Sequence, residues 1–255
     1  MKRRAFSRWG LAFVGLLWTL EVFAQLGNPG HLAMLKGASA GGGVPTGNSF
    51  TIVLTNLLNS TANGIAPGGN VGDLIVACYK WEGSGITLNW MSNDVNGVMT
   101  LLGGTGGAVV SPAGDMRCHI ATVVASSVSQ LNVTVNHSGG SPSFQDWAVF
   151  RVRASGTITV GSGASGNGTG TAVTAGTYTT AAQNGCLIGM SAPDGSATHS
   201  SFTFGGQAAI QYAIPSSSTS AFSYLHTAQQ SSANFLDTLG TSRNWVSKVV
   251  SITAQ

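Results

Sequence analysis

Few side chains in this 255-residue chain can do acid–base or covalent chemistry, so their spacing decides what reactions are open to it. After residue 24 the acids are Asp73, Glu82, Asp94, Asp115, Asp146, Asp194 and Asp237. Glycoside hydrolysis needs two carboxyls facing one another about 5 to 10 Å apart across a cleft. No two of these acids take alternate positions on one strand-like run, so no single strand supplies such a pair. Glu82 and Asp194 each precede a glycine, where turn formation accounts for them.

Nucleophilic and cofactor chemistry are no better served. The chain has no S-x-x-K, and its five histidines fall on unrelated strands and loops. Cys118 and His119 are the one close Cys/His pair, short of the clustered ligands that zinc requires. Residues 161–166, GSGASG, reproduce G-x-G-x-x-G after TITV. The following NGTGTAVTAG cannot start the helix whose N-terminus would receive a pyrophosphate. That stretch reads as a flexible loop, and no cofactor is expected. Asp94 and Asn96 hold part of a calcium-loop pattern, but the full D-x-[DN]-x-[DN]-G spacing is missing, and no metal is expected.

Aromatic residues offer binding chemistry instead. Trp81 and Trp90 flank a turn-rich segment with Glu82, Asn89 and Asn93. An indole face can stack on a sugar ring while amides and a carboxylate hydrogen-bond its hydroxyls. Core or edge packing is the competing reading for both tryptophans. In the run from Trp147, Ala148, Phe150 and Val152 share one face, leaving Trp147 and Val149 beside Arg151 and Arg153. An aromatic next to two arginines suits a subunit or ligand contact. Trp245 returns at the matching place without those arginines, which a shared scaffold explains more simply.

All of these residues sit on strand patterns. Residues 71–83, VGDLIVACYKWEG, are echoed by residues 184–195, NGCLIGMSAPDG. MTLLGG (99–104) is answered by FTFGG (202–206), and Asp146-Trp147-Ala148 by Asn244-Trp245-Val246. In the first copy Leu74, Val76 and Cys78 fall on one face and Ile75, Ala77 and Tyr79 on the other, as in a central strand covered on both sides. Asn96-Gly97 between two strand-like runs predicts a two-residue type I′ hairpin. Short strands separated by turn signals, without sustained helical periodicity, define an all-β fold. The expected architecture is an antiparallel β-sandwich or jelly roll built from two sequence-related halves, 49–154 and 155–255. Whether these make one sandwich or two stays open.

Composition narrows the setting. Only 7% of residues are charged, and 36 glycines sit among abundant Ser, Thr and Asn. Four of the basic residues, Lys2, Arg3, Arg4 and Arg8, lie at the start, and seven basic and seven acidic residues remain after residue 24. A neutral body lacks the basic stripe that tracks phosphates, which argues against nucleic acid as a partner. Residues 1–24 have a basic start, an apolar run from Trp9 to Leu20 and a small-residue end, the form of a secretory signal peptide or an N-terminal anchor or arm. No membrane insertion is expected beyond it. Residues 25–48 read as a flexible Gly/Ala-rich lead-in. Cys78, Cys118 and Cys186 read as small buried hydrophobes, with a Cys78 to Cys118 bridge as the alternative.

The pattern G-D-L-I-V then W-E-G, followed by S-N-D-x-N-G and D-W-A-V-F-R-V, resembles jelly-roll, lectin-like β-sandwich proteins of phage virions and secreted bacterial proteins. The resemblance spans about residues 49 to 255 and rests on strand and turn motifs. It carries over no catalytic or binding residue. The combined expectation is a non-catalytic secreted or cell-surface module for adhesion or glycan binding, with Trp81, Glu82, Asn89, Trp90 and Asn93 as ligand contacts. Trp147, Arg151 and Arg153 are its interface candidates. The alternatives are a self-associating structural subunit of a virion, fibre or surface layer and, third, a glycan-active hydrolase.

Overall fold

The computed structural model describes residues 32–35, 50–57, 63–178, 185–195, 197–205, 207–208, 210–213, 221–227 and 233–254. In chain order the strands begin with β1 (Leu32–Leu35), β2 (Phe50–Leu57), β3 (Gly64–Ala66), β4 (Leu74–Glu82), β5 (Thr87–Asn93) and β6 (Gly97–Val98). They continue with β7 (Thr100–Leu101), β8 (Val109–Val110), β9 (Met116–Val124), β10 (Leu131–Ser138), β11 (Gln145–Ala154) and β12 (Ile158–Tyr178). The last are β13 (Gly185–Pro193), β14 (His199–Phe204), β15 (Gln207–Ala208), β16 (Ile210–Ala213), β17 (Ala221–Thr227) and β18 (Ala233–Ala254). Among the described residues there is no α-helix, only a 3-10 turn at Thr105–Gly107. The fold is an all-β antiparallel sandwich, as the sequence predicts.

Three sheets are stacked. The first has the order β1-β2-β11-β4-β9-β7 with β8 beside β9, and the second β3-β10-β5-β6. The third has the order β15-β14-β18-β13-β17-β16 with β12 beside β18. The period of two in β4 places its residues in two different cores. Ile75, Ala77, Tyr79 and Trp81 pack with Leu88, Met91, Leu131 and Val133 of the second sheet. Leu74, Val76 and Cys78 pack with Cys186, Ile188, Met190, Val246, Val250 and Ile252 of the third. The first sheet is therefore the middle layer. Each fully buried side chain of this size contributes about 1.5–3 kcal/mol, which is why both faces of β4 must be apolar.

Residues 158–254 pair in the same neighbour order as residues 50–154. The orders β2-β11-β4-β9 and β3-β10-β5-β6 have counterparts in β12-β18-β13-β17 and β12-β18-β14-β15. There β12 and β18 run through both layers as single long strands, with register shifts along β12 between Val160 and Gly163, Gly170 and Ala172, and Thr174 and Thr177. Such bulges bend a strand. The curled sheet encloses its own core of Leu187, Phe202, Phe204, Phe235 and Val249.

Several local expectations are corrected. Leu32–Leu35, inside the stretch read as a flexible lead-in, pairs with Ile52–Thr55 as a strand. The glycine-rich run from Gly161 is part of β12, not a loop. A Cβ on Gly168 would lie 2.5 Å from the Trp245 ring, so the glycine admits a close approach. The hairpin after β5 has a three-residue loop, Asp94 to Asn96, because Asn93 pairs with Gly97. Asn93 Oδ1 accepts the backbone N–H groups of Val95 and Asn96, and Gly97 closes the loop at φ 72°. The readings of residues 1–24 and of the rest of 25–48 lie outside the described residues.

The layers are also tied by polar contacts. Lys248 of β18 reaches across to the glycine-rich loop after β7, donating to the carbonyls of Leu102 (2.9 Å) and Gly107. His119 of β9 meets the same loop at the Gly104 carbonyl, 2.9 Å away. All three cysteines are free and buried in the core between the first and third sheets. Burial pushes the Cys118 thiol up to about 12 and raises Cys78 and Cys186 as well.

Candidate functional site

The outer face of the second sheet carries the most distinctive surface chemistry. Its two central strands are TLNWMSN (β5) and LNVTVNHS (β10), and alternation sends Leu88, Met91, Leu131 and Val133 inward. The polar residues between them face out and pair across the strands. Thr87 Oγ1 and Ser138 Oγ are 2.6 Å apart, and Asn89 Nδ2 donates to Asn136 Oδ1 at 2.7 Å. Ser138 Oγ donates back to Asn89 Oδ1 at 3.2 Å. Farther along, Ser92 Oγ and Thr134 Oγ1 are 2.9 Å apart, and Asn132 Nδ2 donates to Asp94 Oδ2 at 3.2 Å.

Strict alternation after Leu88 would put Asn89 outside and Trp90 inside. The register prevents this, because Asn136 opposes Trp90 and His137 opposes Leu88, leaving Asn89 as an extra residue. A bulge of this kind re-aims the side chain that follows it. Both Asn89 and Trp90 therefore face outward, and Met91 returns to the core. Trp90 is 37% exposed, an indole presented at the surface beside a row of hydroxyls and amides.

The other candidate ligand contacts lie elsewhere. Trp81 is 0% exposed in the core between the first two sheets, where it stacks on Tyr79 with ring centroids 5.2 Å apart. Its Nε1 donates to the Ile86 carbonyl at 3.2 Å, so its competing reading as core is where the structure places it. Asn93 is buried as the cap of the hairpin loop. Glu82 ends β4 and holds the Lys80 ammonium, away from Trp90's face. The structure thus brings together Asn89 and Trp90 and separates them from Trp81, Glu82 and Asn93. Sequence reasoning passed over Thr87, Ser92, Thr134, Asn136 and Ser138. Their signal was the alternation N-V-T-V-N-H-S opposite T-L-N, two polar periods that only the pairing shows to be adjacent.

Of the three proposed interface residues, Trp147 and Arg151 lie inside the protein and Arg153 stays partly exposed. The face carrying Trp147 and Arg151 is covered by the second sheet and the loops beside it, and both residues are buried. Trp147 packs against Tyr79 with ring centroids 4.1 Å apart. Arg151 donates to Asp73 Oδ2 (3.0 Å) and to the carbonyls of Pro67, Asn70, Ser127 and Ser129. Arg153, with its side chain 42% exposed, pairs with Asp73 Oδ1 at 2.9 Å.

A second polar cluster lies inside the third sheet's own core. Asp237 Oδ2 accepts Ser191 Oγ at 2.6 Å and sits 2.7 Å from His199 Nδ1. The residue types are those of a nucleophilic triad, but the serine bonds the carboxylate and not the imidazole that would activate it. Ser191 and Asp237 are also enclosed, so the cluster is built to hold β13, β14 and β18 together. Among the described residues no three His, Cys, Asp or Glu side chains are placed to hold a metal ion.

Comparison with protein-family models, with curated proteins and with solved structures finds no match to this chain.

Proposed function

We propose that the chain is a non-catalytic glycan-binding β-sandwich module whose ligand surface is the outer face of β5 and β10. The observation that carries this reading is the bulge at Asn89, which turns Trp90 out beside the Asn89–Asn136 and Thr87–Ser138 pairs. An exposed indole stacks on the apolar face of a pyranose, and neighbouring amides and hydroxyls exchange hydrogen bonds with its ring hydroxyls. The row on this face contains Ser, Thr and Asn without a lysine or arginine, which favours a neutral glycan over a sulfated or sialylated one. A strand pair lined lengthwise with such groups suits an extended oligosaccharide better than a single sugar.

A broad glycan array followed by calorimetry on any hit tests the reading. Binding of neutral oligosaccharides that Trp90→Ala weakens several-fold supports it. An array without any hit, or a hit indifferent to Trp90, removes it.

Assembly is the second reading, favoured by a different surface. Val71, Val95, Val98, Val124 and Val128 are all exposed at one end of the first two sheets. The loops carrying four of them are bonded together, through Gly72 N–H to Ala125 O, Gly69 N–H to Val128 O and Asn96 Nδ2 to Val124 O. Lateral contact between copies would cover this apolar end. Light scattering that gives a monomer at high concentration would dispose of the assembly reading.

A further inference from the structure

At the opposite end of β4 from Asp73, three charged side chains meet. Lys80 of β4 and Asp146 of β11 are directly opposed across the strand pair, and both side chains are 0% exposed. Lys80 Nζ lies 3.8 Å from Asp146 Oδ2 and donates a hydrogen bond to Glu82 Oε1, two residues along on the same face. Glu82 is the one member partly open to solvent. Lys80 continues the face of Leu74, Val76 and Cys78, and its other cross-strand neighbour is Cys118, so the pair sits at the end of the core between the first and third sheets.

Three features of this arrangement point the same way. An ammonium and a carboxylate held out of water each carry a desolvation cost of several kcal/mol, and condensation would replace both charges with one neutral amide. Two central strands fix the reacting groups side by side, which gives an intramolecular reaction an effective concentration far above any reached in solution. Glu82 touches the nitrogen that has to give up its protons, and its contact with solvent lets it exchange them.

We propose that Lys80 Nζ and Asp146 Cγ become joined by an intramolecular amide bond that the folded chain forms by itself. Glu82 accepts a proton from the Lys80 ammonium, and the freed nitrogen lone pair attacks Asp146 Cγ. A Cγ–O bond of Asp146 then breaks. The departing oxygen leaves as water with the two protons lost from nitrogen, which Glu82 relays to it. Ammonium plus carboxylate gives amide plus water, so the step consumes no oxidant, reductant or other reactant. The product ties two neighbouring central strands covalently across residues 80 to 146, a device suited to a surface module that bears load.

Peptide mapping of the purified full chain tests this directly. Trypsin does not cleave after an acylated lysine, so the expected product is residues 37–117 joined to residues 118–151, with a mass about 18 Da (one water) below the sum of the two. Separate peptides ending at Lys80 and beginning at Trp81 would overturn the proposal. Glu82→Gln, with its fold checked by circular dichroism, is expected to show those separate peptides. If Glu82→Gln carries the joined peptide at wild-type yield, the relay assigned to Glu82 is wrong. Asp146→Ala must lack the joined species, and its presence there would place the bond on another residue.

Discussion

Arg151 Nε donates to Asp73 Oδ2 at 3.0 Å, and that single bond fixes where the remaining four donors of the guanidinium fall. Nη1 serves the carbonyls of Pro67 and Ser129, and Nη2 those of Asn70 and Ser127. All five N–H groups are used, and two loops that would otherwise bury bare carbonyls are held by one rigid fork. Asp73 also accepts the Asn70 N–H at 2.7 Å and both ends of Arg153. Removing one partner of such a buried pair costs about 3–5 kcal/mol, because the other is left charged and unpaired. Asp73→Ala is therefore expected to lower the urea midpoint by that equivalent. Arg151→Lys should also destabilise, since an ammonium cannot reach four carbonyls and a carboxylate at once. A loss below about 1 kcal/mol in Asp73→Ala, the range of an exposed ion pair, would show that the loops hold without the clamp.

Acid should unfold the chain in two stages. Burial of the His119 ring, reinforced by the Lys248 charge and opposed by the Ile120 and Gly104 carbonyls, lowers its pKa from 6.5 to about 4. The unfolded chain then binds a proton that the folded chain refuses. Stability is flat above the unfolded value and falls as pH drops from about 6.5 to about 4, by up to about 1.4 kcal/mol per unit. Asp73 acts below that window. Burial alone would raise its carboxyl, but the hydrogen bonds from Arg153, Asn70 and Arg151 and the Arg153 charge outweigh it and hold the group under 3.8. Its contribution is present above that value and disappears as pH falls through the depressed folded pKa. Thermal midpoints measured from pH 8 to pH 3 check both stages. His119→Asn should make the segment between 6.5 and 4 shallower, leaving the part contributed by His137, whose pKa burial also lowers, and should leave the lower segment unchanged.

The all-β class and the doubly covered β4 were legible in the sequence because alternation of period two, with apolar residues on both faces, has few other solutions. The long course of β12 was not. Its glycines read as a loop, whereas Gly163 and Gly168 are small because Val249 and Trp245 come too close for a Cβ. The echo between residues 71–83 and 184–195 also hides a shift. It matches Leu74 with Leu187, yet Leu74 packs toward the third sheet while Leu187 packs into that sheet's own core. A one-residue offset exchanges the faces of a strand, so an echo read from residue types alone does not carry inward and outward assignments. Trp81 and Trp90 show the same limit. Trp81 follows the buried face of β4, and only the register at Asn136 and His137 brings Trp90 to the surface.

Two glycines lie close against tryptophan rings, and both should resist enlargement. A Cβ at Gly64 would lie 2.8 Å from the Trp147 ring, and one at Gly168 would lie 2.5 Å from the Trp245 ring. Trp147 is enclosed on its other sides by Tyr79 and the second sheet, so it cannot yield. Gly64→Ala and Gly168→Ala are each expected to cost about 1–3 kcal/mol through overpacking. Gly106 has nothing within 4 Å of its added Cβ and serves as the contrast, with Gly106→Ala neutral or stabilising by up to about 1 kcal/mol. Equal denaturation midpoints for all three would mean that the close approach of ring and backbone is not what fixes these glycines.

The bulge at Asn89 makes a prediction that separates the binding surface from the scaffold beneath it. Trp90 contributes little to the core, so Trp90→Ala should change stability by no more than about 0.5 kcal/mol. It should weaken glycan binding roughly 3- to 10-fold through the lost stacking alone. Deleting Asn89 is a sharper intervention. Removing the extra residue restores strict alternation, with Leu88 inward, Trp90 outward in the place of Asn89 and Met91 inward, so β5 pairs with β10 without the register shift. The deletion is expected to keep Trp90 at the surface and the denaturation midpoint near that of the wild type while removing the Asn89 amide, whereas Asn89→Ala keeps the residue count and hence the bulge. Asn89→Ala should lose only the bonds to Asn136 and Ser138, with near-wild-type stability and weakened binding. If iodide no longer quenches the Trp90 fluorescence in the deletion variant, or its midpoint falls by more than about 1 kcal/mol equivalent, Asn89 is not the extra residue and the proposed site loses its foundation.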